Sequence, residues 1–188
     1  MTKSTILTLV GSLRADSINR KLAEAIQLNA PEFADVVIYG SLGNIPFYNE
    51  DIDVEGQVPA AAEALRTAVA EADILLLVTP AHNGTMPASL KNAIDWLSRP
   101  YGAGALSAKP TAVVGTAFGQ FGGVWAQDEV RKAVGIAGAE VLEDAKLAIP
   151  GSMVRFAETH PKDDAEVVEQ IQGVFNAIEA SVAVGAAA

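Results

Sequence analysis

Five short apolar runs, each separated from the next by a polar turn and a stretch with helical spacing, leave this chain few folds to choose from. Ser4–Val10 is rich in leucine and β-branched residues, Asp35–Tyr39 reads DVVIY, and Asp73–Thr79 reads DILLLVT. Thr111–Thr116 and Glu140–Ile149 complete the set. DILLLVT does not alternate between apolar and polar residues. A strand of that composition must be covered on both faces, as the central strands of a parallel sheet are. Between the runs lie segments with apolar residues three and four apart, predicting helices at Ile18–Leu28, Pro59–Ala72, Ala88–Ser98, Val124–Ala137 and Asp163–Val182. Alternating strand and helix signals imply a doubly wound α/β fold. Right-handed crossovers and five strands point to the flavodoxin-like order 2-1-3-4-5. The 188 residues are read as one domain, 1–188, with a frayed tail at 185–188.

In such a sheet ligands bind beyond the carboxyl ends of the strands, where the strand order reverses. For this order the loops concerned are Gly11–Ser17 and Pro80–Pro87, with Ala117–Gly123 as neighbour. They are also the most polar and glycine-rich loops of the chain.

The first loop and the start of its helix read GSLRADSIN, Gly11 to Asn19. The positive end of a helix dipole and its free N–H groups favour a phosphate there. Ser12, Arg14, Ser17 and Asn19 add hydroxyl, guanidinium and amide donors, with Ile18 opening the helix. The plainer alternative is that Ser17 merely caps the helix. Asp16 would repel a phosphate, so its carboxylate is expected to point away. The loop has neither the G-x-x-x-x-G-K-[ST] pattern of nucleotide triphosphatases nor the G-x-G-x-x-G of dinucleotide folds. A terminal phosphate remains.

The second loop, TPAHNGTMP, carries the turn dipeptide Asn83-Gly84. Its backbone can approach the edge of a flat ligand, although many ordinary turns share the dipeptide. The third loop, AFGQFGG, places Gly119, Gly122 and Gly123 beside Phe118 and Phe121. A planar ligand could stack there; simple loop flexibility is the alternative.

Composition removes several classes of function. The net charge of −10 argues against nucleic acid and against an anionic membrane surface. No stretch has the length of a membrane span. Without cysteine there is no disulfide, thiolate zinc site, iron–sulfur cluster or cysteinyl intermediate, which fits a cytoplasmic chain. The two histidines, His82 and His160, fall in different segments, so no metal site is expected.

GSLRADSINRKLAEAI, IPFYNEDID, TPAHNGTMPASLKNAIDWLSRP and GQFGGVWAQDEVRKAV together resemble the signature segments of the NAD(P)H-dependent FMN reductases. Chromate and quinone reductases and the neighbouring azoreductases are counted with them. The resemblance covers residues 4 to about 150, in order. It implies noncovalent FMN, with its phosphate on Ser12, Arg14, Ser17 and Asn19. The ring would rest on Pro80, Ala81, His82, Asn83 and Gly84, bordered by Thr116 and the Gly119–Gly123 loop. It also implies NADPH or NADH as donor, and quinone, azo, chromate-type, ferric or flavin acceptors. A homodimer or homotetramer is implied as well, with Ile45–Asp53 reaching a partner's flavin site. The chain departs from the family in having Ala81-His82 where Glu-Tyr is usual, and Trp125 where an arginine is usual.

One open ring face serving donor and acceptor in turn implies ping-pong kinetics. No essential acid or base is expected, because the cofactor carries the chemistry. His82 could deliver a proton to a reduced quinone, though a packing role is the simpler expectation. Trp96 is expected in the core or at a subunit contact, and Phe47 and Tyr48 against the cavity or an interface. The competing reading is a flavodoxin-type electron carrier with the same fold and FMN but no direct nicotinamide oxidation. A non-enzymatic α/β regulatory domain is the more distant one.

Overall fold

The computed structural model describes residues 3–185. Strands β1 (Ser4–Val10), β2 (Ala34–Ile38), β3 (Ile74–Val78), β4 (Pro110–Thr116) and β5 (Glu140–Ile149) form one all-parallel sheet in the order 2-1-3-4-5. The helices are α1 (Ile18–Leu28), α2 (Ala60–Glu71), α3 (Ala88–Leu97), α4 (Val124–Ile136), a single turn α5 (Ser152–Arg155), and α6 (Ala165–Gly185).

The sheet separates two cores by simple alternation. On β3, Ile74, Leu76 and Val78 face one side, while Leu75 and Leu77 face the other. Ile6 and Val10 of β1 join the first set; Leu7 and Leu9 join the second. Helices α1 and α6 cover the first face through residues such as Leu22, Ile26, Ile171 and Phe175. Helices α2, α3 and α4 cover the second through Leu65, Val69, Leu90, Trp96 and Val130. All five β3 residues are at most 1% exposed, which is why that strand reads as unbroken hydrophobic sequence.

Several boundaries differ from the sequence expectation for local reasons. Helix α6 starts at Ala165 rather than Asp163, because Pro161–Asp163 forms a 3₁₀ turn and the Asp164 carboxylate accepts the Val167 N–H at 3.2 Å. Its last residue is Gly185, so Gly185 is helical rather than part of a frayed tail; the remainder of that expected tail lies outside the described residues. The turn α5 was not anticipated. Residues Leu42–Asn44 and Glu50–Ile52 are 3₁₀ turns inside the long connection between β2 and α2.

That connection is stapled to α3. Asn92 is 7% exposed. Its side-chain oxygen accepts the Tyr48 N–H at 2.8 Å, and its nitrogen donates to the Pro46 and Ile45 carbonyls at 3.0 and 3.3 Å. Trp96 is fully buried, and its indole N–H donates to the Pro46 carbonyl at 2.8 Å. Tyr48 meets the Trp96 ring edge-on at 5.0 Å. On its other side Arg66 of α2 stands over Trp96 at 5.2 Å. Arg66 donates to the Trp96 carbonyl and pairs with Asp53, Nη1 to Oδ1, at 2.8 Å.

The hydrogen bond from Arg66 holds the Asp53 carboxyl below the ordinary carboxylate value, against the opposing pull of burial. A carboxyl depressed on folding contributes stability that is full above its unfolded value, about 3.9, and is lost as pH falls through the folded one. Asp53→Asn is therefore expected to lower stability by about 1–3 kcal/mol at neutral pH. Its stability should also fall less steeply than wild type below about pH 4, as read by urea unfolding at stepped pH.

Candidate functional site

One buried side chain fixes the start of the helix that follows the first loop. Asn19, in the first turn of α1, is 5% exposed. Its amide nitrogen donates to the Thr116 carbonyl at 2.9 Å, and its oxygen accepts the Thr116 N–H at 3.1 Å. The start of α1 is thereby locked to the end of β4, and the Asn19 amide is committed to that lock. Thr116 in turn donates its hydroxyl to the Ile149 carbonyl at 2.8 Å, tying in the end of β5.

Ser17 is the N-cap of α1: its hydroxyl accepts the Arg20 N–H at 3.2 Å. The Ile18 and Asn19 N–H groups come first in the helix and have no preceding carbonyl within it to meet. Asp16 turns to Lys21 at 2.5 Å, and that ion pair holds its carboxyl below the ordinary range. Arg14 is exposed, with one contact to the Asp16 carbonyl at 3.0 Å, so its remaining donors face solvent.

A cleft opens over these groups at the carboxyl edge of the sheet. Ser12, Arg14, Ser17, Ile18, Asn19, Pro80, Ala81, His82 and Thr116 all line it. Asn83, Gly84, Gly119, Gly122 and Gly123 do not form its wall, and belong instead to the two flanking loops. Asn83 and Gly84, with φ of 53° and 83°, make a tight turn closed by paired His82 and Thr85 backbone hydrogen bonds of 2.9 and 3.0 Å. The Thr85 hydroxyl donates to Glu129 of α4 at 2.6 Å, fastening this turn to the third loop's helix.

Gly122 and Gly123, both at positive φ, bring the third loop back onto the sheet. A Cβ at Gly122 would lie 2.6 Å from the Ala148 carbonyl carbon, and one at Gly123 would lie 3.2 Å from Ala117 and 3.5 Å from Ala81. Beneath them, Arg131 is 6% exposed. Its Nη2 donates to the Val113 carbonyl at 2.6 Å, beside a slip in the β4–β5 register, and to Gln127 at 3.4 Å. Gln127 donates to the Gly122 carbonyl at 3.4 Å. Burial pushes the Arg131 pKa down, partly offset by Asp128 and Glu143.

Ala117 and Phe118 of the third loop also line the cleft, and so do Ser152 and Met153, which were not anticipated. The available signal was the Pro150-Gly151 break after β5: Gly151 takes φ of 66°, and Ser152 donates its N–H to the Ala117 carbonyl at 3.1 Å. The cleft therefore draws on four strand ends rather than three. Among the described residues no group of three or more His, Cys, Asp or Glu side chains could hold a metal, and no helix is long and apolar enough to cross a membrane.

The arrangement suits a ligand with an anionic end and a flat end. Unpaired helix N–H groups, two hydroxyls and Arg14 converge at one end; at the other, the glycines of the two flanking turns leave backbone groups accessible. Nothing lies within 4 Å of a Cβ built at Gly84 or Gly119, so both loops leave open space beside the cleft. FMN has this chemistry, and the residues present fit it.

The comparisons with known proteins agree. A quinone reductase of Pseudomonas putida is 38% identical over 160 residues, 85% of each chain. An NAD(P)H-dependent FMN reductase of Pseudomonas aeruginosa is 35% identical over 175 residues, 93% of this chain and 92% of that one. Among solved structures, the flavoenzyme NAD(P)H:(acceptor) oxidoreductase of Paracoccus denitrificans superposes with a TM-score of 0.73 at 27% identity, covering 94% of this chain and 97% of that one. The family model described as NADPH-dependent FMN reductase matches residues 4–153, and with strand order, cleft and relatives in accord, the chain belongs to that family.

Proposed function

We propose that the protein reduces quinones with electrons from NADPH or NADH, in a ping-pong cycle. The overall exchange converts NAD(P)H, a proton and a quinone into NAD(P)⁺ and a hydroquinone. Family membership makes the chain an oxidoreductase with FMN as cofactor and a reduced nicotinamide as donor. The observation that carries the reading is the cleft itself. The start of α1, with the groups suited to a phosphate, and Pro80, Ala81 and His82 of the second loop line it together, at the switch point of the sheet.

FMN, when bound, supplies the two-electron chemistry that links a hydride donor to an acceptor. The chain's own residues position and shield. The N–H groups of Ile18 and Asn19, the Ser12 and Ser17 hydroxyls and Arg14 would hold the phosphate. Pro80, Ala81, His82, Asn83 and Gly84 would hold the ring, together with Thr116, Gly119, Gly122 and Gly123. Backbone N–H groups fixed in a turn need no reorganisation as charge develops opposite them. The relative from Pseudomonas putida is named a quinone reductase, which supports quinones ahead of azo, chromate-type, ferric or flavin acceptors.

The reading extends to the whole chain as one FMN-binding domain in a cytoplasmic protein that works as a homodimer or homotetramer. Phe47 is 79% exposed and projects from between Pro46 and Tyr48, which are stapled to α3. It is the side chain of Ile45–Asp53 best placed to meet a second copy.

Anaerobic addition of NADPH or NADH to FMN-loaded protein should bleach the visible flavin bands, and a quinone should restore them. Initial-rate plots against both substrates should be parallel; intersecting lines would refute the ping-pong cycle. Arg14→Ala should weaken FMN binding by about 10- to 100-fold, the worth of a charged hydrogen bond, while apo-protein stability stays within about 0.5 kcal/mol of wild type. Fluorescence titration with FMN and urea unfolding measure the two. His82→Ala should leave the shape of the quinone rate profile unchanged between about pH 5.5 and 8, whereas loss of one limb would make His82 a proton donor.

A further inference from the structure

Three aromatic side chains of the third loop and the start of α4 stand exposed. Phe118 is 69% exposed, Phe121 53% and Trp125 61%. Leaving this much ring surface in water forfeits burial worth more than that of most other side chains, so exposed rings in contact with one another mark a surface that binds. Phe118 is part of the cleft wall. The rings of Phe121 and Trp125 touch, with centroids 5.3 Å apart and planes tilted by 47°.

The backbone carrying these rings is held on both sides. Gly122 is wedged against the Ala148 backbone, and Gly123 packs on Ala117 and Ala81, two residues of the cleft wall. The backbone that carries the aromatic pair is therefore fixed against the cleft wall.

We propose that Phe121 and Trp125 form a docking shelf for the electron acceptor and select flat, uncharged aromatic acceptors, the quinones, over small oxyanions. The proposal rests on the reading of the cleft as the FMN site. Ring faces offer a planar π system both contact area and the offset or tilted geometry that aromatic pairs favour. An oxyanion gains neither, and the shelf offers it no cation. The residues following Trp125 on α4 include Asp128 and Glu129, the first paired with buried Arg131 at 3.2 Å and the second with the Thr85 hydroxyl. Among the described residues of the cleft wall the arginine is Arg14, which belongs to the phosphate end, and the chain as a whole carries a charge of −10.

A second copy of the chain is the other occupant such rings could take. Three partly exposed rings, each burying about 150–250 Å² at most, supply only part of the roughly 800 Å² per partner of a stable interface, so a second copy would need further surface around them.

The test uses a property of the sequence: Trp125 is one of two tryptophans, and the other, Trp96, has no exposed surface. In the absence of any nicotinamide, 1,4-naphthoquinone should quench tryptophan emission saturably in both apo and FMN-loaded wild type. It should leave the residual Trp96 emission of Trp125→Phe unaltered. In turnover, Trp125→Ala should raise KM for naphthoquinone by about fivefold or more, the worth of an aromatic contact, with kcat changed less. Trp125→Phe should restore most of the loss, and KM for chromate should not move. Sedimentation should give wild type and Trp125→Ala the same mass. Quenching that does not saturate, equal losses with naphthoquinone and chromate, or a change of mass in Trp125→Ala would each overturn the shelf, the last in favour of a second copy. Failure of the FMN-loaded protein to oxidise NADPH or NADH would instead refute the functional reading, and the quenching titration would still decide the shelf.

Discussion

Burial of the central sheet on both faces is the constraint from which the rest of the molecule follows. Ile74, Leu76 and Val78 need α1 and α6 above them, and Leu75 and Leu77 need α2, α3 and α4 below. With both faces sealed, only the strand ends are free to meet a ligand. The reversal of winding between β1 and β3 then leaves a gap between the loops that follow them. The cleft's chemistry is thus a consequence of the core. It lies where the backbone must leave the sheet, and its donors are the N–H groups that α1 cannot satisfy internally.

Two sets of buried polar contacts make that edge definite. Asn19 joins the start of α1 to the end of β4 by a reciprocal pair of hydrogen bonds, and the Thr116 hydroxyl extends the tie to β5. Arg131 and Gln127 reach from the middle of β4 to the Gly122 carbonyl and brace the third loop from below. Both sets place polar atoms where an unpaired partner would be costly, so each specifies one arrangement of the loops. Rigid loop bases with open tips allow a flat cofactor to be held mainly through backbone.

Much of this architecture was legible in the sequence because it depends on local pattern. The limits of β1, α1 and β5 follow from apolar runs and their spacing, and the strand order follows from count and handedness. The loop residues of GSLRADSIN and TPAHN could be assigned to one place by topology alone, and Ser12, Arg14, Ser17 and Pro80–His82 share a cleft wall. Contacts that join residues far apart were not legible. Nothing in the chain near Asn19 announces Thr116, 97 positions on, and nothing near Asn92 announces Tyr48. Ser152 and Met153 were missed because a single helical turn carries no periodicity. Trp125 was visible as a departure from its family, but only its exposure and its contact with Phe121 suggest a role.

The stapling of the long β2–α2 connection has a dynamic consequence. Loops of this length ordinarily open on their own, at little free-energy cost, while the domain beneath stays folded. Here Asn92, Trp96 and Arg66 bind residues 45–53 to two helices at once, and each of those helices is itself seated on the second core. Opening the base of the segment therefore means breaking into the α2–α3 layer. The segment shares the cooperative unit of those helices, and the exposed Phe47 side chain projects from between two held residues, Pro46 and Tyr48.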